Sequence, residues 1–500
     1  MLSNYRVPGV YVERTINRGI PAVSPGFRIP VFIGPGSNVE LKTATYNNVD
    51  LNLAESETTS IDLPDDCVRL LRAGTASGGN DLFDYDTAIG GACTNSSYSI
   101  EATYDDTSSP KTLTFAVSGG GNTQGLSDTD DVYVTYYASA PSSRYDFTVY
   151  YNLTDLQLAH GGESAENLVS VAGALAFANG APAVGIIQLD FGEANPLPGD
   201  GFSSLSESDW TTAFETAIEK LDEVPLEQCR IVVPVLPTTS VITESFYHTN
   251  IVLPTITSVR NASTSTEARW RVALFGVLTA SDKSAMLTSA QSLANFVRNV
   301  GSPETRRFTV IAPDVITRSV KQGYTSTTLT LNGTLLAAAA AGKICGLDKA
   351  SKTITNQIVS GLTLERTISK QDRITLGGNG VTVFYTRDSL VYCNHWITTD
   401  LTAAETQEGN ITEVEDFVKQ YCLNLLSDQF VGRLISSTTL SEVSAYVDVM
   451  LTTLTSRGII RGFENVDVST SDDPRTIAVS FSLLPLWPAN WIDVTFMFGV

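Results

Sequence analysis

Histidine and cysteine are scarce in this chain, and their scarcity removes whole classes of chemistry. Three histidines stand among 500 residues, at 160, 248 and 395, and none of their spacings would bring imidazoles onto one metal ion. Six cysteines are too few and too irregularly placed for a disulfide framework, and no C-x-x-C pair occurs. There is no G-x-S-x-G elbow, no phosphate-cradling loop and no G-x-G-x-x-G. "LGGNGV" (376–381) lacks phosphate-loop spacing and reads as a turn. "SDTDDVY" (127–133) lacks the glycine and terminal glutamate of a calcium loop and reads as a solvated turn. Basic residues are also in deficit: 32 Lys and Arg against 54 Asp and Glu leave a formal charge of −22, which argues against nucleic acid as a partner. "MLSNYRVPGVYVER" has no Sec-type signal pattern, and the alanine-rich "TLLAAAAAGKICGL" is too short to span a bilayer and reads as a packed internal helix. The expectation is a soluble chain made in a cytoplasm, with no catalytic residue, cofactor or metal.

What is present is size and two kinds of pattern. A length of 500 residues with 42% hydrophobic content predicts two to four domains with well-buried cores. Prolines at 21, 25, 30 and 35 favour extended backbone near the N-terminus, and "PVFIG" then reads as the first strand of a folded body. Residues 41–144 hold short Thr-, Tyr- and Val-rich runs between Gly, Ser, Asn and Asp turns, the pattern of a small all-β domain. From 145 onward, apolar strands such as "AVGIIQLD", "CRIVVPVLP" and "RRFTVIAPDV" alternate with amphipathic helices, which predicts a three-layer α/β body. Beyond 370 two long helices, "TEVEDFVKQYCLNLLSDQF" and "LSEVSAYVDVMLTTLTSRG", precede the strand runs "IIRGFENVDVS" and "RTIAVSFSLLPL". The division predicted is an N-terminal arm and linker at 1–25, a strand entering the core at 26–40 and an inserted outer domain at 41–144. An α/β core at 145–369, an inner α+β domain at 370–484 and a C-terminal arm at 485–500 complete it.

Both ends carry strand-like sequence. Near the start, Val10 and Val12 alternate with Tyr11. In "NWIDVTFMFGV", Ile492, Val494, Phe496, Phe498 and Val500 share one face. A lone strand needs partners for its backbone groups, so each either pairs within the chain or completes the sheet of a neighbouring copy. A leash of some 15–20 extended residues, at about 3.3 Å each, reaches roughly 50–65 Å. If both arms leave, the contacts are heterologous, and heterologous contacts that do not close build helical filaments.

In order along the chain, "VPGVYVER" (7–14), "SPGFRIPVFIGPG" (24–36), "LAHGGESAENLVSVAGALAFANGAPAVGIIQL" (158–189), residues 362–400 around "ITLGGNGVTVFYTRDSLVYCNHW", and "FENVDVSTSDDPRTIAVSFSLLPLWPANWIDVTFMFGV" (463–500) resemble the contractile tail sheath family of bacteriophages, pyocins and related injection machines. The 41–144 insertion departs from it. The resemblance implies a virion tail subunit, assembled in the bacterial host cytoplasm. Its copies would form a six-fold helical homo-polymer around a tail tube, with baseplate and tail terminator proteins as further partners and no insertion into a membrane. On that likeness Val10, Tyr11, Val12, Ile492, Val494, Phe496 and Phe498 would be exchanged between subunits. Ile477, Val479, Phe481 and Leu483 would form the acceptor sheet, the C-terminal domain would lie innermost, and segments 17–30 and 484–490 would be pivots during contraction. Virions meet an oxidising exterior, so Cys67 and Cys93 are candidates for an inter-subunit disulfide, whereas Cys345 and Cys422 read as buried thiols. The alternatives are a receptor-binding or adhesin protein using the β-rich insertion, and a hydrolase or transferase on the α/β body.

Overall fold

A computed structural model describes residues 28–490, apart from 37–38, 65–66, 76–81, 85–91, 96, 106–109, 119–122, 124–125, 128, 140–144, 193–200, 226–228, 265–269, 323–324 and 474. The chain divides into two compact units, the smaller built mainly from Ser37–Arg144.

The larger unit is organised by a nine-stranded sheet. Its order is Thr148–Tyr150, Val184–Gln188, Pro30–Gly34, Ile231–Pro234, Val272–Gly276, Phe308–Ala312, Val381–Arg387, Leu390–Cys393 and Ile358–Val359. The six strands from Val184–Gln188 to Val381–Arg387 run parallel; Thr148–Tyr150 pairs antiparallel at one end, and Leu390–Cys393 and then Ile358–Val359 extend the other end by antiparallel pairing. Five of the six parallel strands are buried at every position, as expected of strands covered on both faces. Successive side chains serve opposite cores. Val31 and Ile33 pack with helices Glu207–Glu223, Leu253–Thr264 and Lys283–Gly301. Phe32, between them, packs with helices Leu168–Ala178 and Gly333–Cys345 and the hairpin Val315–Gln322/Thr325–Asn332.

Local chemistry fixes the helix ends. Ser206 and Ser369 each form a reciprocal capping box with Asp209 and Asp372, and the Asp282 and Asn332 side chains cap the two helices that follow them. Helix Leu168–Ala178 stops at Asn179, and Gly180 takes φ +97°, a conformation that costs glycine little. The "LGGNGV" stretch read as a turn is in part helical: Lys370–Gly378 runs through Gly378, and the turn is Asn379–Gly380. The domain boundary expected between 369 and 370 falls inside this unit, because strands Val381–Arg387 and Leu390–Cys393 belong to the nine-stranded sheet.

Helices Gly409–Phe430 and Ser437–Ser456 and the hairpin Ile460–Thr470/Ile477–Pro485 share a third core, which includes Val418, Cys422, Val447, Leu451 and Leu483. The smaller unit is a β-sandwich of two antiparallel four-stranded sheets. One is ordered Val39–Val49, Asp130–Ser139, Cys67–Gly74, Phe83–Asp84, and the other Thr58–Asp62, Thr112–Val117, Ile100–Asp105, Ala92–Asn95. Leu70, Phe83, Phe115 and Val134 lie in the core between them.

The two helices on one face of the body approach closely because their contact is made of small residues. A Cβ on Gly342 would stand 2.4 Å from Ala176 Cα and 2.6 Å from its carbonyl oxygen. Gly342→Val is expected to cost about 1–3 kcal/mol through overpacking. Gly377→Ala, in helix Lys370–Gly378 with open space around its Cβ, is expected to be neutral or to stabilise by about 0.4–1 kcal/mol. Thermal unfolding midpoints of the two variants, measured side by side, check both.

Candidate assembly surface and its anchorage

The C-terminal hairpin is an incomplete sheet. Strands Ile460–Thr470 and Ile477–Pro485 pair only with each other, with register shifts between Ile460 and Gly462 and between Glu464 and Asp467. Among the described residues no strand joins the outer edge of either. Two strands alone are marginal in water, and this pair is stabilised from one side by packing on the helical layer. Leu483 is fully buried there, and Ile477, Val479 and Phe481 pack half-buried beside it. The four side chains expected to form an acceptor sheet therefore face the chain's own helices. What the hairpin leaves open is its backbone edge, the part that a further strand would pair with. Val10, Tyr11, Val12, Ile492, Val494, Phe496 and Phe498 lie outside the described residues.

This layer is tied to the body by buried charge. Arg28, Arg230, Arg271 and the pair Arg306–Arg307 each stand just ahead of a neighbouring parallel strand, forming a row along the amino edge of the sheet. The first turns of helix Gly409–Phe430 bring Glu413, Glu415 and Asp416 to that row. Arg307 grips Asp416 with two nitrogens at 2.7 and 3.0 Å. Arg230 contacts Glu413 at 2.6 Å and Asp416 at 2.8 Å, Arg28 lies 3.7 Å from Glu413, and Arg306 pairs with Glu415. Arg271 donates instead to the Leu221 carbonyl at 3.0 Å and to that of Val224. Burial alone would raise the Asp416 carboxyl, but the Arg307 and Arg230 guanidiniums outweigh it and hold that group well below the usual carboxylate range. Burial likewise opposes the charge of Arg230, and Glu413 and Asp416 more than restore it. Arg28, whose nearest carboxylate is farther off, is lowered by desolvation despite Glu413. No sequence expectation named these residues. The signal was an arginine directly ahead of each apolar run, in "FRIPVFIG", "CRIVVP", "WRVALFG" and "RRFTVIA".

The three histidines occupy separate places. His160 is buried between Tyr150 and Gln188, His248 stacks on Phe296, and His395 meets Glu408. Among the described residues no group of three His, Cys, Asp or Glu could hold a metal ion, and no helix is long and apolar enough to cross a membrane. None of the six cysteines is in a disulfide within the chain. Burial raises the thiols of Cys345 and Cys422, the latter to about 12. Cys67 is 5% exposed in the sandwich core, so a bond from it to another chain would require that core to open. Cys93 is half-buried.

No protein-family model matches the chain. Over 170 residues, 33% of this chain, it is 29% identical to the tail sheath protein of Mycobacterium phage Bxz1. The matched region spans 29% of that relative's length. Structural likeness runs much further. The helical sheath of the anti-feeding prophage in its contracted state superposes over 99% of both chains with a TM-score of 0.52 at 13% identity. The sheath complex of the PVC extracellular contractile injection system, also contracted, gives 0.51 at 12% identity over 100% of this chain and 99% of that one. A chain of the six-fold symmetrised anti-feeding prophage baseplate gives 0.53 at 14% identity, over 99% and 100%. The chain has the fold of a contractile sheath subunit. Homology to a phage tail sheath protein accompanies that fold over a third of its length.

The sheath fold here rests on the arginine row, and acid tests it. Because Asp416 is depressed in the folded state, its contribution is fully present above the ordinary carboxylate value of about 3.9 and is lost as pH falls toward its folded value. Asp416→Asn is expected to lower stability at neutral pH by about 1.5–3 kcal/mol, since Arg230 and Arg307 each lose one of two carboxylate partners and keep Glu413 and Glu304 respectively. It should also flatten the decline below pH 4. Thermal midpoints of wild type and variant between pH 7 and 3 check both statements.

Proposed function

We propose that this chain is the repeating structural subunit of a contractile tail sheath, and that a strand from a neighbouring copy completes the hairpin Ile460–Thr470/Ile477–Pro485. One observation carries this reading: a two-stranded sheet with its side-chain face covered and, among the described residues, no strand on either backbone edge, on a body with the sheath fold. The strand-forming ends suit the missing partner, with Val10, Tyr11 and Val12 at one terminus and Ile492, Val494, Phe496 and Phe498 at the other. Added strands would pair with the edges of a hairpin whose Ile477, Val479, Phe481 and Leu483 are already seated on their own helices. Copies joined in this way form an open helical lattice, with six-fold rings around a tail tube and baseplate and terminator proteins at its ends.

Contraction then needs no catalysis. Rigid bodies rotate into contacts that bury more surface, while segments 17–30 and 484–490 bend and strand pairing keeps the lattice connected. The sheath drives the tube through the host envelope and makes no membrane insertion itself. It belongs to the virion tail and is assembled in the host cytoplasm. Cys93 is the better placed of the two cysteines for a cross-link between copies. The receptor-binding alternative is not favoured, because the likeness to sheath chains extends along the whole chain.

Purified full-length protein, expressed alone or with its tube protein, is expected to form long striated tubes in negative-stain electron microscopy. Removal of residues 491–500 is expected to abolish them while the body still unfolds cooperatively on heating, which separates lost assembly from lost folding. Closed small oligomers in wild type, or tubes unaffected by the deletion, would sink the proposal.

A further inference from the structure

The segment that follows the hairpin does not leave it freely. Beyond Pro485 the chain reads Leu486, Trp487, Pro488, Ala489 and Asn490. Pro485 and Pro488 have no N–H to continue a ladder, and the Asn490 N–H turns back to the Pro488 carbonyl at 3.1 Å. The Asn490 side chain then reaches across the fold. Its Nδ2 donates to Glu408 Oε1 at 2.7 Å and lies 3.1 Å from His395 Nε2, which is itself 2.8 Å from Glu408 Oε1. Residues separated by 82 and 95 positions meet at one carboxylate oxygen.

Two of the three are fixed independently of the third. His395 follows strand Leu390–Cys393, and Glu408 immediately precedes helix Gly409–Phe430. An isolated antiparallel bridge joins Ile397 to Glu408, the Thr398 N–H donates to the Gln407 carbonyl at 2.8 Å, and the Gly409 N–H to the Trp396 carbonyl at 3.3 Å. The approach is so close that a Cβ on Gly409 would stand 2.3 Å from the Trp396 ring. The Glu408 side chain is 8% exposed, and its Oε2 is buried with no hydrogen-bond partner among the described residues. A carboxylate so enclosed depends on the donors it has.

We propose that His395 and Glu408 form a preset jaw that holds Asn490, so that the C-terminal segment starts from a fixed point at the base of helix Gly409–Phe430 rather than from the free end of a hairpin. The three are positioning residues: they set the direction in which residues 491–500 are offered to an adjoining copy. That use of the jaw rests on the sheath reading above. The jaw itself does not.

Asn490→Ala removes one donor and touches none of the hydrophobic cores, so the body stays folded. Asn490→Asp sets a second carboxylate against Glu408. Hydrogen exchange of the full chain, read on the peptide covering 486–490, is expected to quicken about tenfold in the alanine variant and further in the aspartate variant, with the thermal midpoint unmoved. Exchange equal to wild type in both would overturn the jaw. Tube formation by the same proteins tests its use, and a longer lag for Asn490→Ala supports it. If loosened variants assemble at the wild-type rate while removal of 491–500 abolishes tubes, the presenting role is wrong. If that removal leaves tubes intact, strand exchange fails instead, and the exchange rates alone decide the jaw.

Discussion

Like charges in a row do not remain buried unless something neutralises them. The amino edge of the parallel sheet carries Arg28, Arg230, Arg271, Arg306 and Arg307, every one of them nearly or fully buried apart from a small exposed share of Arg230. Their mutual repulsion in a low-dielectric setting is offset by three carboxylates from the first turns of one helix, by Glu304 beside Arg306 and Arg307, and by backbone carbonyls. The helix cannot retreat without taking carboxylate partners from four guanidiniums, those of Arg28, Arg230, Arg306 and Arg307, and the sheet edge cannot close without the helix. This mutual dependence explains why the C-terminal helices and the α/β body form one unit. Further along, the same helix is apolar where it meets its neighbour at Val418, Cys422 and Leu426.

The sequence made the body legible where one physical cause dominated. "PVFIG", "VGIIQ" and "VALFG" are continuous apolar runs because each strand is sandwiched between two helical layers. Asn179–Gly180 ends a helix because the backbone there adopts a conformation that few side chains tolerate. Where two causes competed, reading was harder. Gly377 and Gly378 suggested a turn, but the Ser369–Asp372 capping box and buried Leu376 carry the helix through them. The hairpin Val315–Gln322/Thr325–Asn332 escaped notice, since its threonines alternate with modest apolar residues and follow a strand without a break in composition. The arginine row was invisible for another reason. Each arginine is unremarkable beside its own strand, and only the order of strands in the sheet sets them side by side.

The C-terminal hairpin illustrates how a surface can invite association without exposing grease. Its apolar residues are seated on the helical layer, so a monomer shows water mostly Ala478, Ser480 and their like. Among the described residues, the demand left unmet is for backbone hydrogen bonds, which are directional and periodic. A partner must therefore arrive as an extended chain in register. An exposed apolar patch would accept many shapes, whereas an open ladder accepts an extended strand.

In sequence, the β-sandwich is inserted between two strands of the larger unit. The chain departs after Pro30–Gly34 and returns before Thr148–Tyr150. Both junctions lie at the carboxyl edge of the sheet with a single strand, Val184–Gln188, between them. Two strand spacings amount to about 10 Å, a gap that three or four residues of linker would bridge. The sandwich has a core of its own, and no strand of the nine-stranded sheet comes from within it. The fold is thus a chassis with a detachable fitting, one that could be dropped or exchanged for a foreign domain whose termini lie equally close together.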